Sequence, residues 1–285
     1  MTSIEHAGRI SVIVSTWNCS EHLRKCILSL EMQTVRPHEV IIADDGSDPE
    51  HVAKIHEIIQ ASSLGLTYVR QERDASRRSA NRNNGVRHSK GDALCFIDGD
   101  LIIFPDVLAR LIGAAGPKHW VTGNAVRLTR DQTNLVSDEI IRSGGLETIW
   151  SRLDKSQSVE VRRAAIHFRK RSFLSALWPS EVRLKRIRLA SGVCLMPRSL
   201  FEAVNGFDEA YEGWGYEDRD LGLRLQLAGF RGRNIADTTR VLHLHHEKEQ
   251  EFSDTSRRES LNRAYFHRAR NGSFRCEKGL IHEPT

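Results

Sequence analysis

Residues 93–100 read Ala93-Leu-Cys-Phe-Ile-Asp-Gly-Asp100, an apolar run cut off by two carboxylates around a glycine. Five apolar residues in a row fit a strand buried on both faces, as in the interior of a parallel sheet. Three earlier stretches follow the same plan. Ile10-Ser-Val-Ile-Val-Ser15 is β-branched and short, and gives way to Ser15-Thr-Trp-Asn18. Val40-Ile-Ile-Ala43 stops at Asp44-Asp-Gly-Ser47, and Leu66-Thr-Tyr-Val-Arg70 is the remaining strand. Helical spacing fills the gaps: Leu23, Ile27 and Leu30 up to Gln33 behind a capping Ser20, then Val52 to Ala61, then Ser79 to Ser89. This alternation predicts an α/β fold, a mostly parallel Rossmann-like sheet flanked by helices. Ligands of such sheets bind beyond the carboxyl ends of the strands. Three of the four strands end in polar motifs, so those motifs are expected to face one crevice.

The composition sets bounds on the function. The chain has 285 residues, 39% of them hydrophobic and 28% charged, enough for one large domain with a core. Its 42 Lys and Arg against 37 Asp and Glu give a net charge of +5, which suits an anionic ligand such as a nucleotide diphosphate. Five scattered cysteines without a CxxC pair indicate neither a disulfide framework nor a zinc cluster. No apolar run approaches the ~18–20 residues of a membrane span. The expected location is the cytoplasm, with peripheral contact at the inner membrane face. No nucleic-acid motif and no GxGxxG after the first strand are present, which disfavours a nucleic-acid binder and a dehydrogenase.

Several clusters carry chemistry. Asp98 and Asp100 are hard oxygen ligands suited to Mg²⁺ or Mn²⁺, and Gly99 between them lets a ligand approach the backbone. An Asp of the Asp44-Asp45 pair matches a base N–H such as that of uracil, although Asp-Gly is also a common turn. Arg78 and Arg82 lie near the start of a helix, a place that favours phosphate, although an amphipathic surface helix has the same composition. Gly213-Trp-Gly-Tyr-Glu-Asp218 runs a glycine-rich loop into Glu217 and Asp218. Acids there are either dipole-favoured caps or a general base beside a sugar pocket with Trp214 and Gly215. His243, His245 and His246 follow a strand, and a histidine cluster near two carboxylates completes a metal site where it is not structural.

Taken in order, these motifs resemble the family 2 type of inverting glycosyltransferase with the GT-A fold. Val12-Ile-Val-Ser-Thr-Trp-Asn18, Val40 to Ser47, Ala80-Asn-Arg-Asn-Asn-Gly85 and Phe96-Ile-Asp-Gly-Asp100 carry the resemblance. The segment from Gly206 to Leu221 is similar to the catalytic segment of β-1,4-galactosyltransferases and polypeptide N-acetylgalactosaminyltransferases. The resemblance covers residues 9–247 and implies one GT-A domain over 1–247. Its nucleotide-binding half is 9–125 and its acceptor half 189–247, with a C-terminal extension at 248–285. It also implies a Mn²⁺ or Mg²⁺ cofactor, a UDP-sugar donor and a glycan, lipid-linked, peptide or small-molecule acceptor.

The resemblance implies roles residue by residue. Ser15, Thr16 and Asn18 line the nucleotide pocket, Asp45 pairs with uracil beside Asp44, and Arg82, with Arg78, approaches the base or diphosphate. Asp100 is the principal metal ligand, with Asp98 on the metal or ribose, and Gly99 touches the donor. His246 completes the metal shell, with His243 behind it. Asp218 is the general base, Glu217 positions a sugar, and Gly192, Trp214 and Gly215 line the sugar pocket. Trp17 stands where the family commonly has Tyr. Alternatives are a sugar nucleotidyltransferase, which lacks a glycine-rich nucleotide loop here, and a non-catalytic sugar binder, which would be expected to have lost an acid.

The resemblance does not reach the basic stretch 150–188, where eleven Lys and Arg from Arg152 to Arg188 face Asp154, Glu160 and Glu181 among interleaved apolar residues. It reads as a helical insertion: a solvated helix or loop pair, an acceptor lid, or a contact with anionic lipid headgroups. The tail from Glu247 is expected to hold a docking helix near 261–270 and then to fray.

Overall fold

A computed structural model describes residues 8–73, 76–177, 181–213, 215–247, 255–268 and 273–282. The first half alternates as the sequence requires: β1 (Ile10–Thr16), α1 (Ser20–Glu31), β2 (Glu39–Asp44), α2 (Pro49–Ala61), β3 (Leu66–Arg70), α3 (Arg78–Arg87) and β4 (Ala93–Asp98). Next come β5 (Leu101–Ile103), α4 (Val107–Ala114), β6 (His119–Thr122), β7 (Val126–Arg127), α5 (Arg130–Asn134), α6 (Asp138–Arg142) and α7 (Leu146–Ser151). The basic stretch forms α8 (Lys155–Leu177) and α9 (Glu181–Leu184). The segment after the basic stretch supplies β8 (Val193–Pro197), α10 (Arg198–Ala203), α11 (Glu217–Leu227), β9 (Arg231–Asn234) and β10 (Val241–His243), and the tail adds α12 (Thr255–His267).

Among the described residues the main sheet has seven strands in the order β3-β2-β1-β4-β8-β6-β9. β3, β2, β1 and β4 run parallel, β8 is antiparallel to both β4 and β6, and β9 is parallel to β6. A second sheet orders β5-β10-β7. Val12, Val14, Val40, Ile41, Ile42, Leu94 and Cys95 are all fully buried, which is why these strands read as unbroken apolar runs. The parallel register places Thr16 beside Asp44 and Ser15 beside Asp98, so the three polar motifs share one end of the sheet.

One local expectation changes. Ser20 does not cap α1. It is the first helical residue behind Cys19, and its hydroxyl meets His51 Nδ1 at 3.0 Å. The basic stretch is helical as expected, and α8 buries Val161, Ala165 and Phe168, with Phe168 edge-on to Trp120 at 5.6 Å. Residues 273–282 are held against the domain. Cys276 is buried, and Asn205 binds the Cys276 and Ile281 carbonyls at 2.9 and 2.8 Å. No helix among the described residues is long and apolar enough to cross a membrane.

Candidate active site

The crevice is built at the carboxyl ends of β1 and β4. Ser15 Oγ donates to Asp98 Oδ1 at 3.0 Å, tying the two strand ends together. Arg82, from the second turn of α3, also binds Asp98 Oδ1 at 2.8 Å, and its other guanidinium nitrogen lies 3.7 Å from Glu217 Oε1. Arg82 is 2% exposed. Burial pulls its proton affinity down, but Asp98 and Glu217 more than restore it, so it stays a permanent cation. The same charge acts on Asp98: burial pushes the carboxyl up, yet Arg82 and Arg78 hold it below its ordinary range. Gly192 leaves the room this requires, since a Cβ there would lie 2.8 Å from Asp98 Oδ2. Gly99 is held as closely, its N–H donating to the Ser15 carbonyl at 2.8 Å.

Asp218 follows Glu217 in the first turn of α11 and is half-buried. Burial and the neighbouring Glu217 charge raise its carboxyl to about 7, against the pull of Arg82. Two adjacent carboxylates thus differ in surroundings: Glu217 faces a guanidinium, and Asp218 is raised toward neutral pH. Gly215, with φ 101°, sits in the loop before them and accepts a hydrogen bond from Asn262 Nδ2 at 3.1 Å. Trp214 lies outside the described residues.

Asp100 forms a second cluster. His243 Nε2 and His246 Nε2 lie 3.4 and 3.3 Å from Asp100 Oδ2, and the three residues offer ligand atoms within 4.8 Å of one another. Asp100 Oδ1 is buried without a hydrogen-bond partner. Two imidazoles and a carboxylate at this spacing fit one divalent cation bound at about 2.1 Å from each. The pairing of β10 with β5 brings them together, His243 standing opposite Leu101. His245 is absent from the cluster, and its backbone N–H binds Thr133 Oγ1 at 2.8 Å. Asp98 is also absent from it, being held by Ser15 and Arg82.

Three of the residues assigned from sequence have partners within the protein. Asp44 has no exposed surface, and its oxygens accept from Ser47 Oγ at 2.5 Å and Tyr68 OH at 2.7 Å, which holds the turn. Asn18 bonds Asp48 with both ends of its amide at 2.8 Å, which locks the loop after β1 to the loop after β2. Arg82 is a buried strut between two acids, whereas Arg78, at the start of α3, is partly exposed. Asp45 is 4% exposed. Gln71 Nε2 and the Arg77 N–H bind it at 2.5 and 3.1 Å, and burial raises its carboxyl. Thr16 Oγ1 is buried beside it with no partner.

The sequence reading missed His22 and Arg73. His22 on α1 places its ring 6.4 Å from that of His246, and burial lowers its pKa. Arg73 lies over the Trp17 ring at 3.3 Å, which gives Trp17 a partner at the crevice edge. Neither carries a local signal, because both gain their neighbours only when β1, β3 and β10 come together.

The sequence model described as Glycosyl transferase family 2 matches residues 11–170, and one described as the N-terminal domain of galactosyltransferase matches residues 171–247. The chain is 28% identical over 243 residues to a validoxylamine A glucosyltransferase of Streptomyces hygroscopicus subsp. limoneus, covering 79% of this chain and 49% of that one. It thus spans about half the length of that relative. The fold is similar to that of GalNAc-T7 with UDP, GalNAc and Mn²⁺, at a TM-score of 0.59 and 16% identity over 86% of this chain and 44% of that chain. It is also similar to the mannosyltransferase PcManGT from Pyrobaculum calidifontis in complex with GDP-Man and Mn²⁺, at a TM-score of 0.56 and 17% identity over 86% and 59%. These likenesses place the fold among GT-A glycosyltransferases. With the family 2 match running from β1 into α8, the chain belongs to glycosyl transferase family 2.

Proposed function

We propose that the chain transfers a hexose or N-acetylhexosamine from a UDP-sugar to an acceptor hydroxyl, with inversion at the anomeric carbon. The observation that carries this reading is the meeting of Asp100, His243 and His246 at one end of the sheet, in the chain that also carries the Asp98–Arg82–Glu217 network. A divalent cation held by Asp100, His246 and His243 would neutralise charge developing on the leaving diphosphate. Two imidazoles beside one carboxylate favour Mn²⁺ over Mg²⁺, which prefers an all-oxygen shell.

The chain's own residues do the rest. Asp45 accepts from the uracil N–H, and Thr16 and Ser15 line the nucleotide pocket, with Arg78 toward the diphosphate. Asp218, as carboxylate, takes the proton of the acceptor hydroxyl while that oxygen attacks the anomeric carbon. The bond to the UDP oxygen breaks on the opposite face, and the electron pair leaves with UDP. Arg82 holds Glu217 and Asp98 in place and favours the ionised form of Asp98, so Asp218 meets the acceptor in one geometry. Gly192 and Gly215 leave space for the sugars, with Trp214 assigned to the same pocket from sequence.

The test is a donor screen on the purified chain with Mn²⁺ and a panel of UDP-, GDP- and dTDP-sugars. The expected result is EDTA-sensitive thermal stabilisation and slow nucleotide release with one UDP-sugar. Response to a GDP-sugar alone would overturn the uracil assignment. Silence across the panel from folded protein would overturn catalysis in favour of a non-catalytic binder.

A further inference from the structure

We propose that the outer face of α8 seats the protein on a membrane surface rich in anionic lipid. The helix has two unlike apolar sides. At 3.6 residues per turn, Val161, Ala165 and Phe168 fall together on the inner side, where Phe168 packs edge-on against Trp120. This packing fixes the rotation of the helix. Val159, Ile166, Phe173 and Leu177 then recur on the opposite side, at spacings that return them to one stripe. They stand in solvent: Phe173 is 66% exposed, Leu177 53%, and neighbouring Leu174 51%. A continuous exposed apolar stripe is unusual on a protein that keeps water on all sides.

The charges say what covers the stripe. α8 carries Lys155, Arg162, Arg163, Arg169, Lys170 and Arg171 against Glu160 alone. Arg169 pairs with Asp237, and Arg171 donates to the Arg186 carbonyl. Arg162, Arg163 and Lys170 flank the stripe without an ion-pair partner among the described residues. Cations beside an apolar stripe suit a helix lying in the plane of a bilayer, with Phe and Leu in the acyl boundary and guanidinium groups among the headgroups. Nucleic acid would use the cations but leave Phe173, Leu174 and Leu177 in water. The helix is too polar to cross a membrane, which leaves the in-plane position. α8 packs on α9, and α9 packs on α11, whose first turn holds Glu217 and Asp218. Seating α8 therefore also positions the crevice relative to the surface. The inference stands apart from the reaction assigned to that crevice.

The experiment is co-sedimentation of the full chain with phosphatidylcholine vesicles with and without phosphatidylglycerol, over a range of salt. Binding is expected only with phosphatidylglycerol and should weaken as salt rises. Phe173→Ser with Leu177→Ser, and separately Arg162→Gln with Arg163→Gln and Lys170→Gln, should each lower the bound fraction by about ten-fold or more. All these side chains lie outside the core, so the thermal unfolding midpoint should not move. Equal binding to both vesicle types, or binding unchanged in both variants, overturns the proposal. So does salt-sensitive retention of duplex DNA by a chain that ignores vesicles.

Discussion

At the first turn of α11 two neighbouring carboxylates lie near one guanidinium, in different surroundings. Glu217 faces Arg82, whereas Asp218 is raised to about 7 by burial and by the Glu217 charge. A general base acts only when deprotonated, so kcat/KM should climb with pH through about 7 and level off above it. Stability runs the other way. A carboxyl raised in the folded state favours folding below its unfolded pKa, and this contribution is lost as pH rises through about 7. Asp218→Asn should therefore lose ~10²–10⁴-fold in kcat, abolish the pH limb, and keep nucleotide affinity. It should also be more stable than the parent above that pH, as read by urea unfolding. Full turnover with Asn at this position would remove Asp218 from the chemistry. In the second cluster, His246→Ala removes one of three ligand atoms, so Mn²⁺ affinity by calorimetry should fall at least ~10-fold. His245→Ala, outside the cluster, should leave that affinity unchanged.

Among the elements, α3 carries the strut that joins donor side to acceptor side. Arg82 reaches Asp98 at the end of β4 and Glu217 at the start of α11, with 2% of its surface exposed. Replacing it with Met keeps the volume but leaves both acids without their cation, and breaking buried pairs of this kind costs ~3–5 kcal/mol. Urea unfolding at neutral pH should show that loss. The gap should narrow below about pH 4, because Asp98 is held below its usual range by Arg82 and contributes only while ionised. A deficit that does not change with pH would mean that Arg82 acts by packing alone. These joints explain what could be read in advance. The strands and helices from β1 to β4 were legible because each repeats one period over a buried face. The Asp100–His243–His246 cluster was legible in its residue types, since all three stand in short conspicuous motifs. What the sequence did not reveal shares one cause. Asn18, Asp44 and Arg82 look like ligands by residue type, and their internal partners are Asp48, Tyr68 and Glu217, side chains from other elements. His22 and Arg73 were invisible for the same reason, and nothing in the spacing of Ser20 distinguishes a cap from a first helical residue.

At the scale of the whole molecule, residues 276–281 brace the segment leading to α11 from behind. Asn205, 1% exposed with φ 62°, lies just after α10. Its amide binds the Cys276 and Ile281 carbonyls and accepts from the Ile281 N–H at 3.0 Å, while its own carbonyl accepts from the Leu280 N–H at 2.9 Å. Arg87, in the helix that carries Arg82, donates to the Gly279 carbonyl at 2.7 Å and the Leu280 carbonyl at 3.1 Å. The segment thus clips α3 to the loop leading to α11, the two elements whose side chains meet at Arg82 and Glu217. α12 adds a second clip, with Asn262 on the Glu212 and Gly215 carbonyls and Tyr265 on Asp208. The Asp100–His243–His246 cluster is formed where β5 and β10 of the other sheet pair, Asp100 just before β5 and the histidines at and beyond the end of β10, and it uses neither clip. Asn205→Ala leaves several buried polar groups unmet and should cost ~2–4 kcal/mol, at 1–3 kcal/mol for each group left unsatisfied. Truncation after residue 272 should lower both the unfolding midpoint and kcat while leaving Mn²⁺ affinity within about two-fold, because ligands on rigid strands keep their spacing when a distant brace is lost. Loss of metal affinity in step with kcat would show instead that the two sheets unfold as one unit and that the tail holds the whole domain together.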